Sequence, residues 1–209
     1  MDSATSTGAR LISRALNNTV NRKKIAGGNE LIDAGALLLS MELTDGEIVG
    51  DFGCGSSGYF ALQAAKMVGR TGRVYAVDIR KTALRNVESH ARILGLHNIV
   101  PVWTNLERYG AAKIADHRID VGLLISILFQ TQQHEAIMRE TDRMMKPGGR
   151  VAVVDWAQQD VSFGPPAPMK ITVEAVATLA KNVGWVQEKA LHPGSYHFGI
   201  LFRKPENAA

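Results

Sequence analysis

The chain has 209 residues, 45% hydrophobic and 21% charged, with one cysteine and a formal net charge of +4 at pH 7. That length suits one α/β domain with a sizeable core, and no apolar run reaches the ~20 residues that a membrane-spanning helix needs. One cysteine excludes an intrachain disulfide and a C-x-x-C metal pair, and the histidines show no H-x-x-x-H spacing. No secretory h-region opens the sequence, so a reducing, cytoplasmic setting and no metal site are expected.

The charge arises at the start of the chain. Residues 1–25 hold Arg10, Arg14, Arg22, Lys23 and Lys24 against Asp2, while the rest carries 19 basic and 19 acidic residues. The basic balance therefore does not argue for a nucleic-acid-binding face on the remaining domain. Residues 1–8 are Ser/Thr-rich and expected to lack regular structure. Leu11, Ile12, Ala15, Leu16 and Val20 share one helical face, which predicts a short amphipathic helix. That helix reads as packing across the domain, as a lid, as a membrane-surface contact or as a nucleic-acid arm. A boundary near residue 26 separates this segment, 1–25, from a domain over 26–209.

Ala26-Gly27-Gly28 breaks the first helix, and Asn29 is expected to cap a second running to about Met41. Strands and helices then alternate. Strand 47–52 leads to helix 57–68, and strand 73–78 leads to helix 80–94, which Gly95 ends. Strand 98–103 precedes an irregular stretch and strand 119–125. A helix from about Thr131 to Met145 stops at Lys146-Pro147-Gly148-Gly149, since proline cannot continue it. Strand 150–155, a Pro-rich loop at 164–168 and a helix near 172–183 follow. Two strands, 185–191 and 195–203, close the chain, with Tyr196, Phe198, Ile200 and Phe202 alternating on one face of the second. Repeated βα units predict a doubly wound, mostly parallel seven-stranded sheet of Rossmann-like type, with a C-terminal antiparallel hairpin.

Chemistry concentrates where the first two strands end. Residues 48–58 read Ile-Val-Gly-Asp-Phe-Gly-Cys-Gly-Ser-Ser-Gly, and Val74-Tyr75-Ala76-Val77 ends in Asp78. Gly53, Gly55 and Gly58 in a G-x-G-x-x-G frame allow a tight strand-to-helix turn and close approach of a ligand to bare backbone. Asp78 is placed to accept from a ribose diol. The pattern fits an adenosine-containing cofactor, either NAD or S-adenosylmethionine. Charge separates them. Asp51 stands two residues before Gly53, and two unit charges at ~5 Å with an effective dielectric near 20 interact by roughly 3 kcal/mol. That repels a pyrophosphate and attracts an ammonium or sulfonium, which favours S-adenosylmethionine. A second reading has Asp51 capping loop N–H groups, and the two roles are compatible.

With these residues in hand, the chain from about Gly27 to Lys204 resembles the class I S-adenosylmethionine-dependent methyltransferases. Asp51–Gly58 is similar to their first motif and Val74–Asp78 to their ribose-binding strand. Ile119-Asp120-Val121-Gly122-Leu123-Leu124 is similar to their fourth strand, and Lys146-Pro147-Gly148-Gly149 to the turn before their fifth. Within the class, the chain most resembles small enzymes related to quinone C-methyltransferases and arsenite methyltransferases. The resemblance implies that Gly53, Gly55 and Ser56 line the methionine part, with Cys54 and Gly58 in the same loop. It implies that Asp78 binds the ribose and that Ile79 flanks the adenine. Asn105 falls where many members have an Asp accepting from the adenine amino group, and an Asn oxygen also accepts. Ser126 and Ile127 are implied to face the methyl group.

Methyl transfer needs alignment more than proton transfer, and alignment supplies ~7–11 kcal/mol. If a base is used, Asp155 at the end of the fifth strand is the first candidate, with loop anchoring as its competing role. Tyr196 is the second, with edge-strand packing as its alternative. Trp156 reads as an aromatic wall or as ordinary core, and His134 as a surface residue before a base. No Asn/Asp-Pro-Pro-aromatic sequence follows the fourth strand, which by resemblance disfavours amino methylation of adenine or glutamine. One cysteine disfavours arsenite. The reading is methyl transfer from S-adenosylmethionine to a small-molecule acceptor by in-line displacement. An RNA methyltransferase, a non-catalytic nucleotide-binding module and an NAD oxidoreductase remain as alternatives.

Overall fold

The computed structural model describes residues 31–159 and 161–206. The expected N-terminal helix, the Asn29 cap and the basic segment lie outside them. Helix α1, Ala34–Ser40, begins instead at Asp33, whose carboxylate accepts from Ala36 N at 3.0 Å. This is an ordinary N-cap, which satisfies a helix-end donor.

Seven strands form one sheet in the order β3-β2-β1-β4-β5-β7-β6. They are β1 Ile48–Phe52, β2 Arg73–Asp78, β3 Ile99–Trp103, β4 Ile119–Ile125, β5 Met145–Trp156, β6 Val186–Leu191 and β7 His197–Arg203. The first five pair in parallel, and β7 runs antiparallel between β5 and β6. Helices α2 (Tyr59–Met67), α3 (Lys81–Ile93), α4 (His134–Met144) and α5 (Val173–Asn182) connect them. Two cores sandwich the sheet. Leu38, Phe60, Ala64 and Val87 of α1–α3 meet Val49, Val121 and Val154 on one face. Met138, Met144 and Val176 of α4 and α5 meet Phe52, Leu124 and Val153 on the other. Burial on both faces explains the near-continuous apolar runs of β4 and β5.

Two expectations change. The Lys146–Gly149 run is not a turn ahead of the strand but an irregularity inside β5. Ile119 pairs with Met145 and Val121 with Arg150, so the intervening residues bulge out. Gly148 at φ 74° supplies the left-handed step such a bulge requires. Helix α4 starts at His134 rather than Thr131, because a short 3₁₀ turn at Leu128–Gln130 comes first. Tyr196 precedes β7, which is not an edge strand but lies between β5 and β6, with Leu201 packed in one core and Ile200 and Phe202 in the other.

Strand order reverses between β1 and β4. In open α/β sheets that reversal opens a crevice at the carboxyl ends of the strands, where ligands bind.

Candidate active site

A cavity of about 880 Å³ fills that crevice. Gly53 and Gly55 after β1, Asp78 and Ile79 at the end of β2, and Asn105 after β3 line one end. Ser126 and Ile127 after β4 line the middle, and Trp156, Pro165 and Met169 line the far end. Backbone geometry explains the glycine loop. Gly55 has φ 67° with open space where a Cβ would stand. Gly58 has φ 59°, and a Cβ there would lie 2.7 Å from Val87 Cγ2 of α3. The first glycine keeps backbone bare beside the cavity; the second permits close helix packing.

Asp78 is 6% exposed and organises this end. Its Oδ2 accepts from Gly55 N at 3.0 Å, and its Oδ1 accepts from Arg80 N at 2.8 Å. The Arg80 guanidinium adds an ion pair at 3.2 Å. One carboxylate thus ties the glycine loop to the end of β2. Trp103 Nε1 donates to Ile79 O at 2.9 Å, and the Lys81 ammonium sits 3.8 Å above the Trp103 ring. Asn105 Oδ1 accepts from Glu107 N at 2.9 Å.

Asp51 is 2% exposed, and its Oδ2 has no hydrogen-bond partner among the described residues. Burial raises its pKa from 3.8 to about 7; the Ala61 N–H pulls down against this, and Asp78 pushes further up. A buried carboxylate without a cation is costly. Ser126 combines three features: φ 53°, 5% exposure and an Oγ without a partner among the described residues. Left-handed backbone in a residue other than glycine is strained, and such strain clusters at functional sites.

Five of the expected site residues do not line the cavity: Asp51, Cys54, Gly58, Asp155 and Tyr196. The Cys54 side chain packs into the core, and burial pushes its thiol well above the usual range. Asp155 is fully buried, and its carboxylate accepts from Trp156 N at 2.8 Å and Phe129 N at 3.2 Å. Burial raises its pKa to about 6, with these N–H groups pulling it back. Its geometry is that of a loop anchor beneath the 128–130 turn. Tyr196 stacks edge-on against Phe163 at 4.9 Å. His134 bonds Leu128 O at 2.9 Å, outside the cavity wall.

Sequence reasoning missed the supports of the rim. Glu140, fully buried, pairs with Arg143 at 2.8 Å and accepts from Gly110 N and Ala112 N at 2.7 and 2.9 Å. Arg143 also reaches Ile114 O and Asp116. This pair folds the β3–β4 loop that carries Asn105. Thr131 Oγ1 donates to Glu107 Oε1 at 2.5 Å across the cavity mouth. The only advance signal was a Glu and an Arg three residues apart on one predicted helix.

A family model described as a methyltransferase domain matches residues 43–191. The chain is 29% identical over 125 residues to the arsenite methyltransferase of Aquipseudomonas alcaligenes, covering 58% of this chain and 36% of that protein. It is 30% identical over 105 residues to the ubiquinone/menaquinone biosynthesis C-methyltransferase UbiE of Klebsiella pneumoniae, covering 50% of this chain and 41% of that protein. The matches thus span well under half the length of these relatives. A SAM-dependent methyltransferase from Aquifex aeolicus shares the fold, with a TM-score of 0.77 and 23% identity over 86% of this chain and 93% of that one. Among the described residues no helix is long and apolar enough to cross a membrane. The matched domain and the glycine loop, acidic strand end and strand order described above agree: the chain belongs to the methyltransferase-domain family, the class I S-adenosylmethionine-dependent methyltransferases.

Proposed function

We propose that this chain transfers a methyl group from S-adenosylmethionine to an uncharged small organic acceptor, by in-line displacement within the 880 Å³ cavity. The observation that carries the reading is the continuity of that cavity from Gly55 and Asp78 to Trp156, with Ser126 between. Cofactor and acceptor would therefore meet end to end.

The residues fit the cofactor. Asp51 offers a buried, unpartnered carboxylate oxygen near a site that would receive an ammonium. Gly53, Gly55 and Ser56 would hold the methionine part, Asp78 the ribose and Ile79 and Asn105 the adenine, with Ser126 and Ile127 beside the methyl group. S-adenosylmethionine supplies an electrophilic methyl group whose sulfonium leaves as a neutral thioether. The chain's residues supply alignment and exclusion of water, which account for most of what this reaction needs. Asp155 positions the 128–130 turn rather than taking a proton.

The relatives' names offer two acceptor classes. Arsenite chemistry calls for thiolates, and this chain has only Cys54, packed in the core. A hydroxylated organic ring suits the apolar far wall of Trp156, Pro165 and Met169 better. The basic residues 1–25 are proposed to be separate from the domain, and the cysteine usage supports a cytoplasmic location.

The test is incubation with S-adenosylmethionine carrying a chiral, isotopically labelled methyl group, against phenolic acceptors, arsenite and total RNA. Labelled phenolic product with inverted methyl configuration is expected. Label appearing only in RNA or arsenic, or retained configuration, overturns the proposal.

A further inference from the structure

The Asp78 carboxylate has no acceptor capacity to spare. Its two oxygens offer about four lone-pair sites, and four N–H groups use them. Oδ1 accepts from Arg80 N at 2.8 Å and from Arg80 Nε at 3.2 Å. Oδ2 accepts from Gly55 N at 3.0 Å and from Arg80 Nη2 at 3.3 Å. These contacts are of two kinds. Gly55 N and Arg80 N are backbone groups, held in place by the glycine loop and by the turn from β2 into α3. The guanidinium arrives on a long side chain that is 58% exposed, and its two bonds are the longer ones. Arg80 also lines the cavity. It is the residue before α3, yet its side chain makes no capping bond to that helix, so the helix does not depend on the guanidinium.

A ribose diol brings two more O–H donors to this carboxylate and finds no lone pair free. Two contacts must leave. The guanidinium is the group that can leave without moving the loop or the strand. We infer that Arg80 is an internal competitor for the ribose position: its guanidinium holds Asp78 in the ligand-free chain and is displaced when the diol of the cofactor arrives. The inference rests on the cofactor reading above and adds a residue that sets the affinity. The exchange balances in number, since two N–H donors leave and two O–H donors replace them, so the buried carboxylate stays satisfied. It does not balance in charge, since a cation leaves and a neutral diol takes its place. Binding therefore carries the loss of one ion pair. With the guanidinium more than half exposed, that pair is weak, and the penalty is a few-fold rather than orders of magnitude. A nucleoside without the diol has nothing to put in the guanidinium's place and leaves the pair intact.

The experiment is titration calorimetry of the full chain and of Arg80→Met and Arg80→Lys with S-adenosylhomocysteine, adenosine and 2′,3′-dideoxyadenosine. Arg80→Met keeps the backbone N–H and much of the aliphatic stem while removing the competitor. It is expected to bind S-adenosylhomocysteine about two- to fivefold more tightly than the parent, the range that a half-exposed ion pair allows. Adenosine should gain the same factor, and dideoxyadenosine should gain nothing. Arg80→Lys keeps the charge without the two-pronged fork and should fall between parent and Arg80→Met. The gap between parent and Arg80→Met should narrow as salt is raised from about 50 to about 500 mM, because salt screens the pair that must be broken. Unchanged or weaker S-adenosylhomocysteine binding by Arg80→Met overturns the inference, since the guanidinium would then stay in place or contact the cofactor itself. An equal gain for dideoxyadenosine also overturns it, since the side chain would then only crowd the cavity. Failure of S-adenosylhomocysteine and adenosine to bind the parent and both variants is a different pattern: it sinks the cofactor reading and takes this inference with it.

Discussion

Asp51→Asn is expected to change both stability and cofactor affinity, in opposite directions and with opposite pH trends. The carboxyl is raised from 3.8 to about 7 by burial. Each pKa unit corresponds to about 1.36 kcal/mol, so ionising Asp51 in the ligand-free fold costs roughly 4 kcal/mol more than in water. The folded pKa lies above the unfolded one, so between about pH 4 and 7 the folded chain holds the extra proton. Stability from this group is full below about pH 4 and is lost as pH rises through 7. The Asn variant lacks that loss. It should match the parent at pH 4 and exceed it by up to roughly 4 kcal/mol at pH 7.5, read from urea unfolding. Affinity runs the other way. S-adenosylhomocysteine keeps the ammonium, and pairing at ~5 Å is worth roughly 3 kcal/mol, or about 100-fold. Parent affinity should climb from pH 5 to 7 with release of a proton on binding, measured by calorimetry in buffers of different ionisation enthalpy. The variant should bind about 100-fold more weakly at pH 7 and release none. A parent affinity independent of pH, with no proton released, refutes the assignment of Asp51 to the ammonium.

Asp78→Ala should weaken S-adenosylhomocysteine binding by roughly 1.5–3 kcal/mol in titration calorimetry, the range for hydrogen bonds to a charged group; an unchanged constant would remove Asp78 from the ribose site. Glu140→Ala strands Arg143 in the interior and should lower stability by about 3–5 kcal/mol in urea, and a loss under 1 kcal/mol, roughly a surface-pair value, would show the pair to be solvated. Gly55→Ala has room for its methyl group but strained backbone, so a stability loss of about 1–2 kcal/mol is expected together with a larger loss in cofactor affinity; Gly58→Ala, facing Val87, should instead act mainly on stability. A chain beginning at Gly27 tests the basic segment. Weakened S-adenosylhomocysteine binding supports a lid or packed helix, whereas salt-dependent RNA binding lost with unchanged cofactor affinity favours the RNA alternative.

The glycine-loop end of the cavity was legible in the sequence because its geometry is local. A glycine loop directly after an apolar strand, and a carboxylate ending the next one, follow from chain order once βα units are recognised, and Gly53, Gly55, Ser56, Asp78, Ile79, Asn105 and Ser126 all line the cavity. The sheet was legible for the same reason, since periodicity and breakers are properties of short windows. What lies at the far end of the cavity was decided only by tertiary structure. Trp156 and His197 meet because β7 inserts antiparallel beside β5, a register that no local pattern specifies. Glu140 and Arg143 matter because α4 delivers them to loop amides about thirty residues earlier. From its strand-end position Asp155 read as a base or as a loop anchor, and only the fold shows its carboxylate accepting from the N–H groups of Phe129 and Trp156. Lys146–Gly149 carried turn residues, yet strand pairing on either side absorbed them as a bulge. In each case the deciding quantity was desolvation or register. Both depend on which distant segments pack together, and neither can be read from neighbours along the chain.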